Sequence, residues 1–249
     1  MKINVAQTIL ATTQCSSGCP HCPFSNPLLP KLHLGREKLR ARMENSSAPL
    51  IVISGGEVFE HPEVTLFLGD LTTTQSPPFR IATGGGVPLH PWIDPLEKLR
   101  FRNSHFEGIS LGTDLLLLEM GRPELRKIWE ANLKFLASSS LPYSLTWTLS
   151  SEMTDEIEEE TLSASFLQAL EILKSLTVRK APEFHYLRIT GAADHQQSLL
   201  NILFGSLKLI HPESLVLIDH LEELPPPTAP SGRLRSVEAA RATSREDCA

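Results

Sequence analysis

The chain has 249 residues, of which 41% are hydrophobic and 21% charged, and these values suit one large globular domain and exclude the disordered and fibrous classes. The formal net charge is -6, and no cluster of Lys and Arg with interleaved aromatic residues is present, which argues against a nucleic-acid partner. No apolar run approaches the roughly eighteen residues of a membrane-spanning helix, which argues against a membrane partner.

The cysteines and the N-terminal residues predict the compartment. Three of the four cysteines lie within eight residues, a distribution that fits a reduced cytoplasm better than a disulfide framework. Residues 1–11 contain one early positive charge, and Asn4 and Gln7 interrupt their apolar run, so they do not resemble a signal peptide. The sequence therefore predicts a cytoplasmic protein.

Strand-like and helix-like segments alternate along the first half of the chain. We predict strands over residues 3–12, 50–53, 80–83 and 108–111. The first is extended in character, with Val5 and Ile9 apolar, and the second is a brief apolar run that ends at the Gly-Gly-Glu segment. We predict a surface helix over residues 35–44 and a second that opens at 61–63, with Pro62 in an early helical position. A third helix is expected to begin at Asp94 as the capping acid, with Pro95 at its first position.

The alternation continues in the second half. An amphipathic helix is predicted over residues 123–136, a long helix over 155–176 and a further helix over 196–207. Strands are predicted over 143–149 and 184–190, with a possible extra strand over 214–218. Residues 224–249 are rich in proline at their start and poor in apolar residues, which predicts a flexible C-terminal tail.

Six strand and helix pairs in alternation predict an α/β fold with a parallel sheet and helices outside it. The pattern by itself does not separate a barrel from an open, doubly wound sheet. In both architectures functional residues gather at the carboxyl ends of the strands, so the segments that follow each strand are the places to search for a site.

The segment after the first strand reads Cys15-Ser-Ser-Gly-Cys19-Pro-His-Cys22 and is the most informative in the chain. A structural zinc site has four ligands, and the fourth would have to be His21 or the distant Cys248. Three thiolates on an iron-sulfur cluster instead leave one iron open to another ligand. A Cys-x-x-Cys redox pair is a third interpretation, but it leaves Cys15 unexplained.

This cysteine segment resembles the signature of the radical S-adenosylmethionine (SAM) superfamily, and a second motif supports the resemblance. Ile-Val-Ile-Ser54-Gly55-Gly56-Glu57 follows about thirty residues downstream, at the end of the second predicted strand. In that superfamily such a Gly-Gly-Glu segment contacts the amino group of SAM. The resemblance implies a partial (β/α)6 TIM-like barrel, here a single core domain over residues 1–223, with a 4Fe-4S cluster and SAM as cofactors.

The resemblance also implies a role for each matching residue. Cys15, Cys19 and Cys22 would hold the cluster as thiolates, and the open iron would bind SAM. An electron passed from the cluster would cleave SAM to a 5'-deoxyadenosyl radical, which abstracts hydrogen from a substrate carbon. The residues implied in SAM binding are His21 beside the adenine, the strand-end segment, and polar residues that end the third and fourth strands: His21, Ser54, Gly55, Gly56, Glu57, Thr83 and Ser110.

The sequence departs from the superfamily pattern at two of these places. Val58 stands where a proline commonly follows the glutamate, and Gly112 stands where an aspartate often follows the residue equivalent to Ser110. Asp114 comes two residues later. Further polar candidates on or near the fifth and sixth strands, expected to face a barrel interior, are Tyr143, Thr146, Thr148, His185, Arg188 and Asp194.

The resemblance favours an enzyme that modifies a ribosomally made peptide or protein, with flavodoxin or ferredoxin as electron donor. An activase of a glycyl-radical enzyme and a cofactor-biosynthesis enzyme acting on a small molecule are alternatives with the same core chemistry. A zinc-binding interaction module is the alternative that is not an enzyme, but it gives the Gly-Gly-Glu segment no function.

Overall fold

The computed structural model describes residues 6–19, 22, 24, 28, 30–113, 123–150, 170–175, 180–190, 205, 207, 210 and 215–221. The chain divides into two compact units. Among the described residues, the first comprises those up to Thr83 together with Pro91–Gly108, and the second comprises Gly84–His90 and those from Ile109 onward. The single domain over residues 1–223 stays a prediction, and the predicted tail lies outside the described residues.

Three parallel strands form the sheet of the first unit, in the order β1 (Gln7–Thr12), β2 (Ile51–Gly55) and β3 (Phe79–Thr83). Ile9 pairs with Ile53, and Ile53 pairs with Ile81, so these three buried side chains lie side by side on one face. Because side chains alternate along a strand, Leu10 and its partner Ser54 lie on the other face, where both are half-buried.

Three helices connect and cover these strands: α1 (Arg36–Glu44), α2 (Val64–Leu71) and α3 (Ile93–Arg102). The middle helix contacts both of the others. Each contributes buried apolar side chains at helical spacing, which for the three helices together are Leu39, Met43, Val64, Phe67, Leu68, Leu71, Leu96 and Leu99. This spacing is why these segments are helical, since it gives each of them one apolar side to bury.

Two predicted helix starts are wrong. Asp94 does not cap α3, because a 3-10 turn over His90–Trp92 leads directly into the helix and makes Trp92 the residue before it. Asp94 lies within the first turn, where negative charge is favoured. Pro62 precedes α2 rather than opening it, because the Glu63 N–H donates to His61 Nδ1 and holds residues 61–63 as a separate turn.

The second unit contains the residues of β4 (Phe106–Gly112) from Ile109 onward and the strands β5 (Tyr143–Ser150), β6 (Phe184–Thr190) and β7 (Leu215–Leu221). These strands are parallel and neighbour one another in chain order. The last strand, predicted as a possible strand over 214–218, pairs with β6 along its whole length. The prediction of an α/β fold with parallel strands is therefore confirmed in each unit.

Helix α4 (Pro123–Ser138) packs in the second unit through Trp129, Leu133 and Leu136, as its amphipathic pattern predicts. Trp129 Nε1 donates to the Gly112 carbonyl at 2.5 Å, which joins the helix to the end of β4. Residues 170–175 of the helix predicted over 155–176 and residues 205 and 207 of the helix predicted over 196–207 are described, and all are helical, as is residue 210 beyond the predicted end. No helix in the described part of the chain combines the length and the apolar character needed to cross a membrane.

The buried Asn132 of α4 holds the segment after β3 in place. Its Oδ1 accepts from the Leu89 N–H at 2.8 Å, and its Nδ2 donates to the carbonyls of Gly85 at 3.1 Å and Val87 at 2.8 Å. One side chain therefore satisfies three backbone groups, and its removal leaves buried polar groups without these bonds.

We predict that Asn132→Ala lowers the free energy of unfolding by about 3 kcal/mol, since each buried backbone group that loses its partner is worth about 1–3 kcal/mol. Urea unfolding followed by circular dichroism measures the change. Lys134→Ala, at an exposed position of the same helix, is the control and should change stability by about 0.5 kcal/mol or less. Equal stability of the two variants would contradict this role for Asn132.

Candidate site on the cysteine loop

Three of the sequence-predicted segments meet at one edge of the first unit. Cys15 comes three residues after β1, Glu57 comes two residues after β2, and Thr83 is the last residue of β3. Because the three strands are parallel neighbours, their carboxyl ends lie along the same edge of the sheet. This is the edge where ligands bind in parallel α/β folds.

The loop that contains the cysteines, residues 14–29 and here termed the cysteine loop, is tied together at its base. The Thr13 N–H donates to the Leu32 carbonyl at 2.9 Å, and the Leu34 N–H donates to the Ala11 carbonyl at 2.8 Å. The Thr13 hydroxyl adds a bond to the Pro30 carbonyl at 2.7 Å. Both ends of the loop are thus held by the end of β1.

The Gly-Gly-Glu segment lies directly against the backbone that enters this loop. The Gly56 N–H donates to the Thr12 carbonyl at 2.7 Å, and the Glu57 N–H donates to the Gln14 carbonyl at 2.6 Å. A Cβ at Gly55 would lie 2.1 Å from the Thr12 oxygen, and one at Gly56 would lie 2.1 Å from the Gln14 oxygen. The two stretches of backbone are closer here than a side chain at either position would permit, which explains why both residues are glycine. The contact of Gly55 and Gly56 with SAM stays a prediction.

The Glu57 carboxylate points into the protein. It is 1% exposed, its Oε1 accepts from the Phe59 N–H at 3.2 Å, and its Oε2 accepts from the Thr83 hydroxyl at 2.8 Å. The first bond caps a 3-10 turn over Val58–Glu60, and the second joins the ends of β2 and β3. The structure thus brings together two residues predicted for SAM binding and shows both engaged in holding this turn.

Glu60, which the sequence analysis did not select, reaches back to the cysteine loop. Its Oε1 accepts from both the N–H of Ser16, at 3.0 Å, and the Ser16 hydroxyl, at 2.5 Å. Ser16 directly follows Cys15. The only sequence signal for Glu60 was its position three residues after Glu57, and a glutamate there is too common to be selected on that basis.

The three cysteines of the loop are thiols, each of intermediate exposure. The Cys22 N–H donates to the Cys19 carbonyl at 3.1 Å, which links the backbones of these two residues, and Gly18 before them has a positive φ of 64°. Within the residues that the structure describes, no three His, Cys, Asp or Glu side chains are grouped so as to hold a metal ion. Ligation of one cluster by all three thiols therefore requires the loop to draw them together.

The other predicted site residues are either outside the described residues or in strands of the two units. His21 and Cys248 are outside the described residues, as are Asp114 and Asp194. Ser54 is half-buried in β2. Ser110 belongs to the second unit, where its hydroxyl lies 2.9 Å from the Thr146 hydroxyl and accepts from the Ser144 hydroxyl at 3.3 Å.

The polar candidates on β5 and β6 do not all lie on one face of their sheet. Thr146 and Thr148 alternate with Tyr143 and therefore lie on the face of Ser110, whereas Tyr143 lies on the opposite face. Tyr143 is buried and donates to the Lys180 carbonyl at 2.7 Å, and its burial raises its pKa well above the usual value. The expectation that Tyr143 shares the face of Thr146 is wrong, because an odd spacing reverses the direction of a strand side chain.

His185 of β6 is buried beside Trp147, whose Nε1 donates to His185 Nδ1 at 3.3 Å. It pairs with Leu145, so it too lies on the face of Tyr143 rather than on that of Thr146. The backbone of Arg188 is described within β6, but its side chain lies outside what the structure describes.

Two histidines pack at the base of the cysteine loop. His33 Nδ1 lies 2.9 Å from the Thr12 hydroxyl, and its ring meets that of His61 edge to face, with centroids 5.3 Å apart. His61 accepts at Nδ1 from the Glu63 N–H, so its Nε2 carries the proton that is donated to the Leu34 carbonyl at 3.1 Å. Burial, and secondarily the neighbouring His61, lower the pKa of His33.

Comparison with known proteins adds no family to this geometry. No protein-family model matches the sequence, and none of the curated proteins matches it.

We predict that Gly56→Ala lowers the free energy of unfolding by about 3 kcal/mol, the upper end of the usual range for overpacking, since the added methyl group meets a backbone oxygen that cannot move aside. Thermal unfolding of the metal-free protein measures the change. Gly35→Ala is the matched control, because a Cβ at Gly35 has nothing within 4 Å. A Gly56→Ala protein as stable as the control would show that the two backbones do not approach this closely.

We predict that the stability of the cysteine-loop base falls in acid through His33. Because its pKa in the folded protein is lowered, His33 contributes stability that is fully present above its usual pKa of about 6.5 and is lost as the pH falls through the folded value. Urea unfolding at pH 7.5 and 5.5 should show a smaller decrease for His33→Gln than for the native protein. His90→Gln, at an exposed position, controls for loss of a histidine in general. An unchanged pH dependence in His33→Gln would contradict this assignment.

Proposed function

We propose that the chain is a radical SAM enzyme in which Cys15, Cys19 and Cys22 ligate a 4Fe-4S cluster. One observation carries this proposal: the Gly-Gly-Glu segment and the cysteine loop, about forty residues apart in sequence, are hydrogen-bonded to each other at the carboxyl edge of one parallel sheet. These are the two motifs on which the resemblance rests. A cofactor contacted by both motifs requires them to be adjacent.

The residues present suit such a cluster. The donor set is three thiols on a single loop whose base is closed by backbone bonds. Three thiolates leave one iron for a small-molecule ligand, which is how SAM would be held. When bound, the cluster and SAM together supply an electron transfer that cleaves SAM and yields a carbon radical able to abstract hydrogen.

The chain's own residues then have separable tasks. The cysteines ligate, and the bonds from Gly56 and Glu57 to the backbone of Thr12 and Gln14 hold the entrance of the loop against the end of β2. The buried Glu57 and Thr83 hold the turn after β2 in one conformation. His21 and Ser54 are proposed SAM contacts on the basis of the resemblance.

A partial (β/α)6 barrel is the architecture that we propose for this core. Its support is the difference between the two faces of the strands in each unit. In the first unit the face of Ile53 is buried and that of Ser54 is half-exposed, and in the second the face of Leu145 is buried while Thr146 is half-exposed. In a barrel the helices cover the outer face of the strands, and a small ligand can lie against the inner face. Ser110 is then a proposed contact to the ribose of SAM.

We propose a ribosomally made peptide or protein as the substrate, with flavodoxin or ferredoxin as electron donor and the cytoplasm as the compartment. The Ser-Gly-Gly-Glu and Ile-Ser-Leu segments resemble the peptide-modifying branch. A glycyl-radical-enzyme activase and a small-molecule enzyme use the same cluster chemistry. Once SAM cleavage has been measured, assays with each class of substrate distinguish these two hypotheses from a peptide-modifying enzyme.

The test is metal analysis of protein purified without oxygen, followed by reduction in the presence of SAM and assay for 5'-deoxyadenosine. We expect about four irons per chain and formation of 5'-deoxyadenosine. Cys19→Ala should lose both, because two thiolates do not hold the cluster. Cys248→Ala, which removes the thiol outside the cysteine loop, is the matched control and should keep both.

Two outcomes would overturn the proposal. Zinc without iron, in a colourless protein that does not take up iron and sulfide, would identify the loop as a zinc site and favour an interaction module. Full activity in Cys19→Ala would show that the three cysteines do not act as the ligand set.

A further inference from the structure

The two peptide groups on either side of Cys15 are both held by the turn that follows β2. The peptide group between Gln14 and Cys15 accepts, through the Gln14 carbonyl, the Glu57 N–H at 2.6 Å. The peptide group between Cys15 and Ser16 donates, through the Ser16 N–H, to Glu60 Oε1 at 3.0 Å. The Ser16 hydroxyl donates to the same oxygen.

Holding both peptide groups restricts the backbone at Cys15. Each peptide group is planar, so the orientations of the two planes set φ and ψ of the residue between them. The direction of the Cα–Cβ bond follows from that backbone. With the backbone restricted, the position of the Cys15 sulfur varies mainly among the rotamers of χ1, before any metal is bound.

Glu60 owes its position to the turn around it. The Glu60 N–H donates to the Glu57 carbonyl at 2.9 Å, and the His61 N–H donates to the Val58 carbonyl at 3.1 Å, which closes the 3-10 turn. Val58 and Phe59 within the turn are buried. The Glu60 carboxylate therefore approaches the cysteine loop from a well-packed support rather than from a surface loop.

We infer that Glu60 is a positioning residue for Cys15, which it orients through Ser16 so that the first thiol of the loop is set before metal binding. This inference rests on the proposed role of the three cysteines as metal ligands. Cys19 and Cys22 differ from Cys15 in that a bond within the loop itself joins them, from the Cys22 N–H to the Cys19 carbonyl. Cys15 is thus the thiol whose backbone is held by the turn after β2.

A preset ligand strengthens metal binding, because less conformational freedom is lost when the metal binds. Loss of the Glu60 carboxylate should therefore weaken metal binding, and the whole effect should be transmitted through Cys15. Glu60→Gln keeps an oxygen that accepts both Ser16 bonds and removes only the charge, so it separates positioning from electrostatics.

The experiment is a titration of the reduced, metal-free full chain with Cd²⁺. Binding is monitored by the absorbance band of charge transfer between thiolate and metal. We expect Glu60→Ala to weaken Cd²⁺ binding about tenfold, since it removes two hydrogen bonds to a charged group and partial exposure reduces the contribution of such bonds. Glu60→Gln should bind Cd²⁺ as tightly as the native protein, since both bonds to Ser16 remain. Glu63→Ala, which removes an exposed glutamate with no capping bond to α2, is the control and should bind as the native protein does.

A thermodynamic cycle then tests whether Glu60 acts through Cys15. In a Cys15→Ala background, Glu60→Ala should weaken Cd²⁺ binding no further, because its only route to the metal is gone. A further tenfold loss in that background would overturn the inference and assign Glu60 a general structural role. Equal binding by Glu60→Ala and the native protein would overturn it as well.

Ser16→Ala provides the same test if Glu60→Ala does not fold. Ser16 is exposed, and this substitution removes the hydroxyl bond while the N–H bond remains, so a loss of about threefold is expected and no loss would overturn the inference. Because Cd²⁺ binds thiolates without iron, sulfide or SAM, this result is independent of whether the chain cleaves SAM. Failure of the radical SAM proposal and failure of the Glu60 inference are thus distinguishable.

Discussion

The site depends on the close contact between two stretches of backbone: residues 12–14, which enter the cysteine loop, and residues 55–57, which leave β2. Two N–H groups donate across this contact, and a Cβ added at Gly55 or Gly56 would lie 2.1 Å from a carbonyl oxygen of the facing stretch. A hydrogen-bonded approach of this kind satisfies backbone groups that the ends of parallel strands would otherwise leave unpaired. It also places the cysteine loop next to the Gly-Gly-Glu segment.

The positions of Glu57, of the turn after it and of Ser16 each depend on this contact. Because Glu57 is held at its N–H by Gln14 and at its carboxylate by Thr83, the turn over Val58–Glu60 begins from a fixed residue. This turn places the Glu60 carboxylate where it accepts a hydrogen bond from the Ser16 N–H. The base of the loop is closed independently, by the bonds of Thr13. The cysteine loop is therefore held at its base and at its first cysteine, and a backbone hydrogen bond joins Cys19 to Cys22.

Prediction from the sequence succeeded where a local pattern has one structural solution. The amphipathic spacing around Trp129 predicted α4, and the apolar runs predicted the strands, because burial of one face is a requirement that local sequence expresses. It failed at Asp94, where the capping pattern was present but a 3-10 turn before it moved the start of the helix. It also failed for Tyr143, whose direction depends on strand phase rather than on residue type.

By itself, the sequence determined which residue types are present and how they are spaced: three thiols on one loop, a Gly-Gly-Glu segment after a strand, and a parallel α/β alternation. The tertiary structure alone decided which of these residues are adjacent and what the polar ones bind. It made Glu57 a buried residue joined to Thr83, explained the two glycines by the proximity of another backbone, and brought Glu60 to Ser16. The reason is physical: a hydrogen bond between residues about forty positions apart depends on strand register and on close backbone approach, and no local pattern encodes either.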